Sequence, residues 1–245
     1  MGFFQDDRAF ISRANDMDVA SLIDYVSIQP RYSRFRRWAE PFAYSVASML
    51  ALAIDVPVAA LLKQGIPRFF GEFLENCETF GNGHGVALIL IAVVVLDRVQ
   101  ARAIPWLMAG SLGSGLVSNI LKLTVDRMRP RDFDFAMTSV WDTFQRASEG
   151  SRGSQSMPSS HTATAVGLAM MLSALYPRGR WYFAVLAALV GIQRMATLAH
   201  YPSDVLAGAA IGSMVGMWAV SSMDAKWGRS DVETSTGSRS AGSTD

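Results

Sequence analysis

The chain has 245 residues, half of them hydrophobic and 18% charged, where an ordinary soluble domain carries roughly 25% charge. A net charge of +1 excludes the strongly basic balance of a nucleic-acid-binding domain. A single cysteine, Cys77, excludes an internal disulfide and leaves the redox compartment open.

The first 40 residues are mixed in character and are expected to form a cytoplasmic interfacial segment. Their start, MGFFQDDRAFISR, carries acids and no long apolar run, unlike a secretory signal peptide. Gly2 follows Met1, but Asp6 stands where myristoylation requires Ser or Thr. Crossing a bilayer takes ~20 mostly apolar residues. Six stretches qualify, at about 41–62, 84–99, 103–123, 161–177, 181–200 and 204–223. The second is the weakest, because its dense core from Val86 to Leu96 is short, and a re-entrant segment is its alternative. The pattern predicts an all-α fold, a polytopic membrane bundle of six transmembrane helices over 41–223. Residues 64–83 set Phe69, Phe70, Phe73 and Leu74 among charges, which suits an amphipathic piece at the outer interface. Residues 231–245 hold nine Ser, Thr or Gly, and the tail 224–245 is expected to be disordered.

Orientation follows from arginines and lysines in short loops. Arg31, Arg34, Arg36 and Arg37 precede the first stretch, and Arg98 and Arg102 lie between the second and third. Arg178 and Arg180 separate the fourth from the fifth, and Lys226 and Arg229 follow the sixth. All fall on one face, which predicts that face, and both termini, to be cytoplasmic. The loop 124–160 puts five arginines on the opposite face, a mild violation that a phosphate-binding role for some of them would explain. Parity then brings Lys122, His161, His200 and Asp204 to the extracytoplasmic face.

Three blocks at that face carry the chemistry: Lys122-x6-Arg129-Pro130, Pro158-Ser159-Ser160-His161 and Arg194-x5-His200-x3-Asp204. Two long cationic heads and a third arginine suit the oxygens of a phosphate. Alone, Lys122 reads equally as a snorkelling interface lysine, and Arg129-Pro130 as an extended dipeptide. Ser159 or Ser160 is a good N-cap for the apolar run that follows. A helix start is also an anion site, with His161 in its first turn beside the bound group. Arg194 inside an apolar stretch is costly and points to function. It lies six residues, roughly 9 Å of helix, from His200. His200 and Asp204 would share a face on a continuous helix, although Pro202 makes that continuity doubtful. If they meet, Asp204 fixes the imidazole tautomer and leaves the other ring nitrogen free to attack.

The set resembles the signature of the type 2 phosphatidic acid phosphatase and vanadium haloperoxidase superfamily, Lys-x6-Arg-Pro, Pro-Ser-Gly-His and Ser-Arg-x5-His-x3-Asp. The resemblance implies an integral-membrane lipid phosphatase acting on a phosphate monoester or diphosphate. It makes His200 the nucleophile that becomes a phosphohistidine, Asp204 its orienting partner and His161 the general acid. Lys122, Arg129 and Arg194 would bind the phosphate oxygens, with backbone amides near Ser159 and Ser160. It implies no metal or other cofactor. The expected partners are a lipid phosphate and the bilayer, in a multi-pass cell-membrane protein (the inner membrane, in a bacterium).

Two positions depart from that pattern: Ser160 replaces Gly, and Gln193 replaces Ser. A serine keeps the amide but restricts the backbone, and Gln193 can still donate to phosphate with a different reach. Gly208-x3-Gly212-x3-Gly216 reads as a small-residue motif for close helix packing, within the molecule rather than between copies. Gly110, Gly113 and Gly115 read the same way. Two alternatives stand beside the phosphatase: a non-enzymatic transporter or scaffold, and a vanadate-dependent haloperoxidase. The intramembrane Arg194 opposes the first, and the many apolar stretches in a short chain oppose the second.

Overall fold

Within a bilayer every backbone amide must be satisfied by the segment that carries it, which leaves helices as the economical element for so apolar a chain. The computed structural model describes residues 34–144 and 155–240, with side chains over 38–144 and 155–227, and every regular element among them is helical. Contacts group Arg34–Met223 as one unit, which holds the site. Most of the N-terminal segment, Arg146, Glu149, Arg152 and residues 241–245 lie outside the described residues.

Helices α1 (Arg34–Ala51) and α2 (Asp55–Lys63) run on through a 3-10 turn at Leu52–Ile54. Together they give a continuous helical stretch from Trp38 to Lys63. Helix α3 (Arg68–Cys77) leads through a 3-10 turn, Glu78–Gly81, into α4 (Gly83–Leu96). The two parts are bent by 64°. Asn82 caps α4, its side chain accepting from the Gly85 amide at 2.8 Å. Helix α5 is Ile104–Lys122, and the loop after it holds two short 3-10 turns, Pro130–Asp132 and Val140–Phe144. Helices α6 (Ser160–Leu175), α7 (Arg180–Ala196) and α8 (Pro202–Ser240) complete the order.

Among the described residues, three helical stretches are long and apolar enough to cross a membrane: Trp38–Lys63, Gln100–Lys122 and Pro202–Trp227. The bent α3–α4 pair makes a fourth if it counts as one span. The protein is therefore an all-helical membrane protein. Helix α6 is apolar but has only 16 residues, about 24 Å of rise against a hydrocarbon core of ~30 Å. Helix α8 runs past residue 223, where the last expected span ends, to Ser240.

Helix α6 is central. Eleven of its residues are buried, on all sides, as expected of a helix with no polar stripe. Glycines let its neighbours approach. A Cβ at Gly208 would meet the Ser159 carbonyl oxygen at 2.4 Å, and one at Gly212 would meet that of Ala163 at 2.5 Å. The Gly208-x3-Gly212-x3-Gly216 stripe thus packs α8 against α6 inside the molecule. On the other side, Gly167 of α6 lies on the Gly110 carbonyl of α5. At the far end of α6 the Tyr176 hydroxyl donates to Asp97 at 3.3 Å. The near end, where Ser159 caps the helix, carries the site.

Candidate active site

The chain between α7 and α8 is folded so that His200 leaves the helix. After the C-cap Thr197, Leu198 takes a φ of +52°. The Leu198 amide donates to the Met195 carbonyl at 2.9 Å and the Ala199 amide to that of Arg194 at 3.1 Å. This is a Schellman closure with leucine where glycine is usual. A branched-chain residue held at positive φ is strained, and such strain gathers at functional sites. Pro202 then starts α8, where its fixed φ and missing amide suit the first position. His200 and Asp204 therefore do not share a continuous helix. Arg194 sits in the last turn of α7, its carbonyl also accepting from the His200 amide at 3.1 Å.

Asp204 is wholly buried. Its Oδ2 accepts from the Tyr201 amide at 2.9 Å and from the Ser156 hydroxyl, and its Oδ1 accepts from Arg127 Nη1. His200 Nδ1 lies 3.8 Å from Oδ2, beyond hydrogen-bond length. Burial, the largest cause, holds the His200 pKa below the ordinary histidine value; Asp204 opposes that shift, and Lys122 and Arg129 add to it. Burial thus favours the neutral imidazole, the state in which a ring nitrogen is nucleophilic.

Arg127 joins this carboxylate to a second one. Its Nη2 donates to Asp55 Oδ2 at 2.6 Å, its Nη1 to the Ser203 hydroxyl at 2.7 Å and its Nε to the Thr143 hydroxyl at 3.1 Å. The guanidinium carbon lies 4.3 Å from the ring centre of Tyr201 and 4.6 Å from that of Phe144. Asp55 also accepts from the Ser203 amide at 2.9 Å, so an acid of α2 satisfies a free amide in the first turn of α8. None of these three ionic side chains touches solvent.

Around His161 stand Arg194, His200, Lys122 and Arg129, from α7, the turn after it, the end of α5 and the following loop. The blocks expected to meet do meet. Arg129 Nε and Arg194 Nε are buried and have no hydrogen-bond partner, as does His200 Nδ1. Buried donors are rarely left unpaired. Two unpaired guanidinium nitrogens beside two imidazoles are donors of the kind an oxyanion accepts from. Ser159 is differently engaged: its amide donates to the Asp204 carbonyl at 3.0 Å, and its hydroxyl accepts from that of Thr162 at 2.9 Å. Its polar groups join α6 to α8, which leaves the amides of Ser160 and His161 as the ones a helix N-terminus offers an anion.

The PAP2 superfamily model matches residues 104–227, which include all three blocks. The chain belongs to the PAP2 superfamily. Lipid A 1-phosphatase of Rhizobium etli is 29% identical to this PAP2 chain over 187 residues, 69% of the chain and 76% of that protein. Lipid A 1-phosphatase of Rhizobium johnstonii is 29% identical over 181 residues, 66% and 70% respectively. Among solved structures, a transmembrane PAP2-type phosphatidylglycerolphosphate phosphatase from Bacillus subtilis superposes with a TM-score of 0.54 at 19% identity. It covers 76% of this chain and 96% of that one, and the likeness shows the shared fold. This PAP2 chain is a hydrolase, a lipid phosphate phosphatase of the membrane.

The two departures from the PAP2 pattern have partners. The Ser160 hydroxyl donates to Asn119 Oδ1 of α5. Gln193 is buried and gives its amide nitrogen to Glu78 Oε2 at 3.0 Å, so it serves a carboxylate rather than a phosphate. Three residues of the neighbourhood were not singled out in the sequence: Asp55, Arg127 and Glu78. Asp55 had a signal, being an acid inside the first apolar stretch. Arg127 lies within the first block, on the face where arginines are least expected. Glu78 looks like one more charge in an amphipathic segment, and only packing shows where it points.

Proposed function

We propose that this phosphatase removes the 1-phosphate of lipid A by double displacement, with the phosphoryl group passing through His200. The observation that carries the reading is the pair of unpaired guanidinium nitrogens of Arg129 and Arg194 beside His161 and His200. Lys122, Arg129, Arg194 and the first amides of α6 hold the phosphate oxygens, and Asp204 orients His200 from the Nδ1 side. His200 Nε2 attacks phosphorus while the bond to the leaving oxygen breaks, and protonated His161 gives that oxygen its proton. Neutral His161 then takes a proton from water, whose oxygen displaces His200 and releases inorganic phosphate. Positioned charge supplies most of the stabilisation. The lipid A 1-phosphate assignment is supported by relatives matched over about three quarters of their length.

Phosphate release from detergent-purified protein tests the substrate. Lipid A 1-phosphate is expected to be cleaved faster than phosphatidic acid, phosphatidylglycerol phosphate or an isoprenyl diphosphate. Activity is expected to survive EDTA and to fall with vanadate, which adopts a trigonal bipyramid. Loss of activity on chelation, restored by magnesium, sinks the cation-held mechanism, and a preference for another lipid reassigns the substrate.

The same reading places the site outside the cell, on a six-span layout with cytoplasmic residues 1–40 and 224–245. Parity supports it, since Lys122, His161 and His200 end or begin the third, fourth and fifth apolar stretches. Trp141, 71% exposed, lies in the 3-10 turn Val140–Phe144 of the loop before α6, and Arg178 follows the other end of α6. Cysteines introduced at Trp141 and Arg178 should label from outside and inside, respectively. Labelling of both from one side overturns the topology.

A further inference from the structure

Glu78 is the one carboxylate in contact with His161 among the described residues. Its Oε1 lies 3.4 Å from His161 Nε2 and 3.1 Å from Arg194 Nη1. Its Oε2 is held by the Gln193 amide at 3.0 Å. The 3-10 turn that carries it is wedged against the start of α6: a Cβ at Gly81 would come within 2.7 Å of the His161 carbonyl and of Val190. Its side chain is 28% exposed, that of Arg194 13%, so the cluster is partly desolvated.

That placement answers a difficulty in the mechanism. A general acid must begin protonated, yet His161 faces the cations Lys122, Arg129 and Arg194 and the imidazole of His200. Burial, the largest cause, and each of these cations disfavour an imidazolium. An opposite charge within ~4–6 Å favours the charged form by about 1–3 pKa units. Glu78 is within that distance.

We propose that Glu78 is a positioning residue of this phosphatase, holding His161 as imidazolium through Nε2 and aiming Arg194 at the phosphate through Nη1. The inference rests on the role given to His161 above. With Nε2 held by Glu78, Nδ1 is the nitrogen that gives its proton to the leaving oxygen. Arg194 keeps Nε for a phosphate oxygen, because Glu78 takes only Nη1. Gln193, the residue that departs from the family serine, belongs to the same device: an amide reaches from α7 to Glu78 where a hydroxymethyl is too short.

The test is the pH dependence of kcat/KM for wild type, Glu78→Gln, Glu78→Asp and His161→Ala, on an alkyl phosphate and on p-nitrophenyl phosphate. Glu78→Gln is expected to move the alkaline limb toward lower pH by on the order of one unit. It should lose roughly tenfold or more on the alkyl phosphate at neutral pH, within the range general acid catalysis supplies, and clearly less on the nitrophenyl ester. Glu78→Asp should restore the limb in part. Gln193→Ala, which keeps the charge but frees it, should give a smaller shift of the same sign. An alkaline limb unmoved in Glu78→Gln, or equal losses on both esters, overturns the role of Glu78 while leaving His161 as the acid. An alkaline limb retained in His161→Ala overturns both assignments together.

Discussion

His200→Ala is expected to form no phosphoenzyme with any substrate and to release no phosphate above background. His161→Ala should retain a leaving-group-dependent remnant. The difference follows from what each ring does: one forms the bond to phosphorus, the other only neutralises the departing oxygen. General acid catalysis is typically worth about 10²–10⁴-fold, and an alkyl alkoxide needs all of it. p-Nitrophenolate leaves without a proton, so His161→Ala should recover much of its deficit on that ester and His200→Ala none. Acid-labile, base-stable phosphohistidine trapped in quenched samples reports the covalent step directly. Equal rescue of both variants, or a phosphoenzyme persisting in His200→Ala, would mean that the nucleophile is misassigned. Both rings lie among the described cations, so the two variants share a background and differ in the missing function.

Arg127→Met should be strongly destabilising. Arg127 is fully enclosed between Asp55 and Asp204, and its removal leaves two buried carboxylates without a cation. Breaking a buried pair in this way costs about 3–5 kcal/mol. Asp55→Asn should cost less, because an amide keeps a hydrogen bond to Ser203 or Arg127 and leaves the Asp204 contact intact. The two changes share one network, so the double variant should lie above the sum of the singles or below it, not on it. Unfolding in mixed detergent micelles measures all three. A cost within about 1 kcal/mol for Arg127→Met would show the network to be dispensable. Activity should fall as well, because Arg127 fixes the carboxylate that lies beside His200.

The helical class was legible in hydropathy, because lipid leaves a spanning segment no other way to satisfy its amides. The mid-chain apolar stretches correspond to α4, α5, α6 and α7 within a few residues. Bend and length were less legible. The weak stretch at 84–99 is the short α4 with a 64° bend before it, and such a bend depends on what the turn Glu78–Gly81 packs against.

Lys122, Arg129, His161, Arg194, His200 and Asp204 stood out in the sequence because charge and imidazole are costly among apolar neighbours, and parity put them at one face. Tertiary structure alone decided what surrounds them. Leu198 at positive φ makes the turn between α7 and α8, where Pro202 leaves continuity doubtful in the sequence, since backbone strain is stored only where packing over-determines it. Asp55, 149 residues from Asp204, meets it through Arg127, and no local spacing encodes a contact at that separation. Ser159 and Gln193 keep polar side chains suited to phosphate but give them to Thr162 and Glu78, because a hydrogen bond goes to the partner the fold brings within reach. The residue types were written in the sequence; which of them face one another was settled by the packing of α5, α7 and α8 around α6.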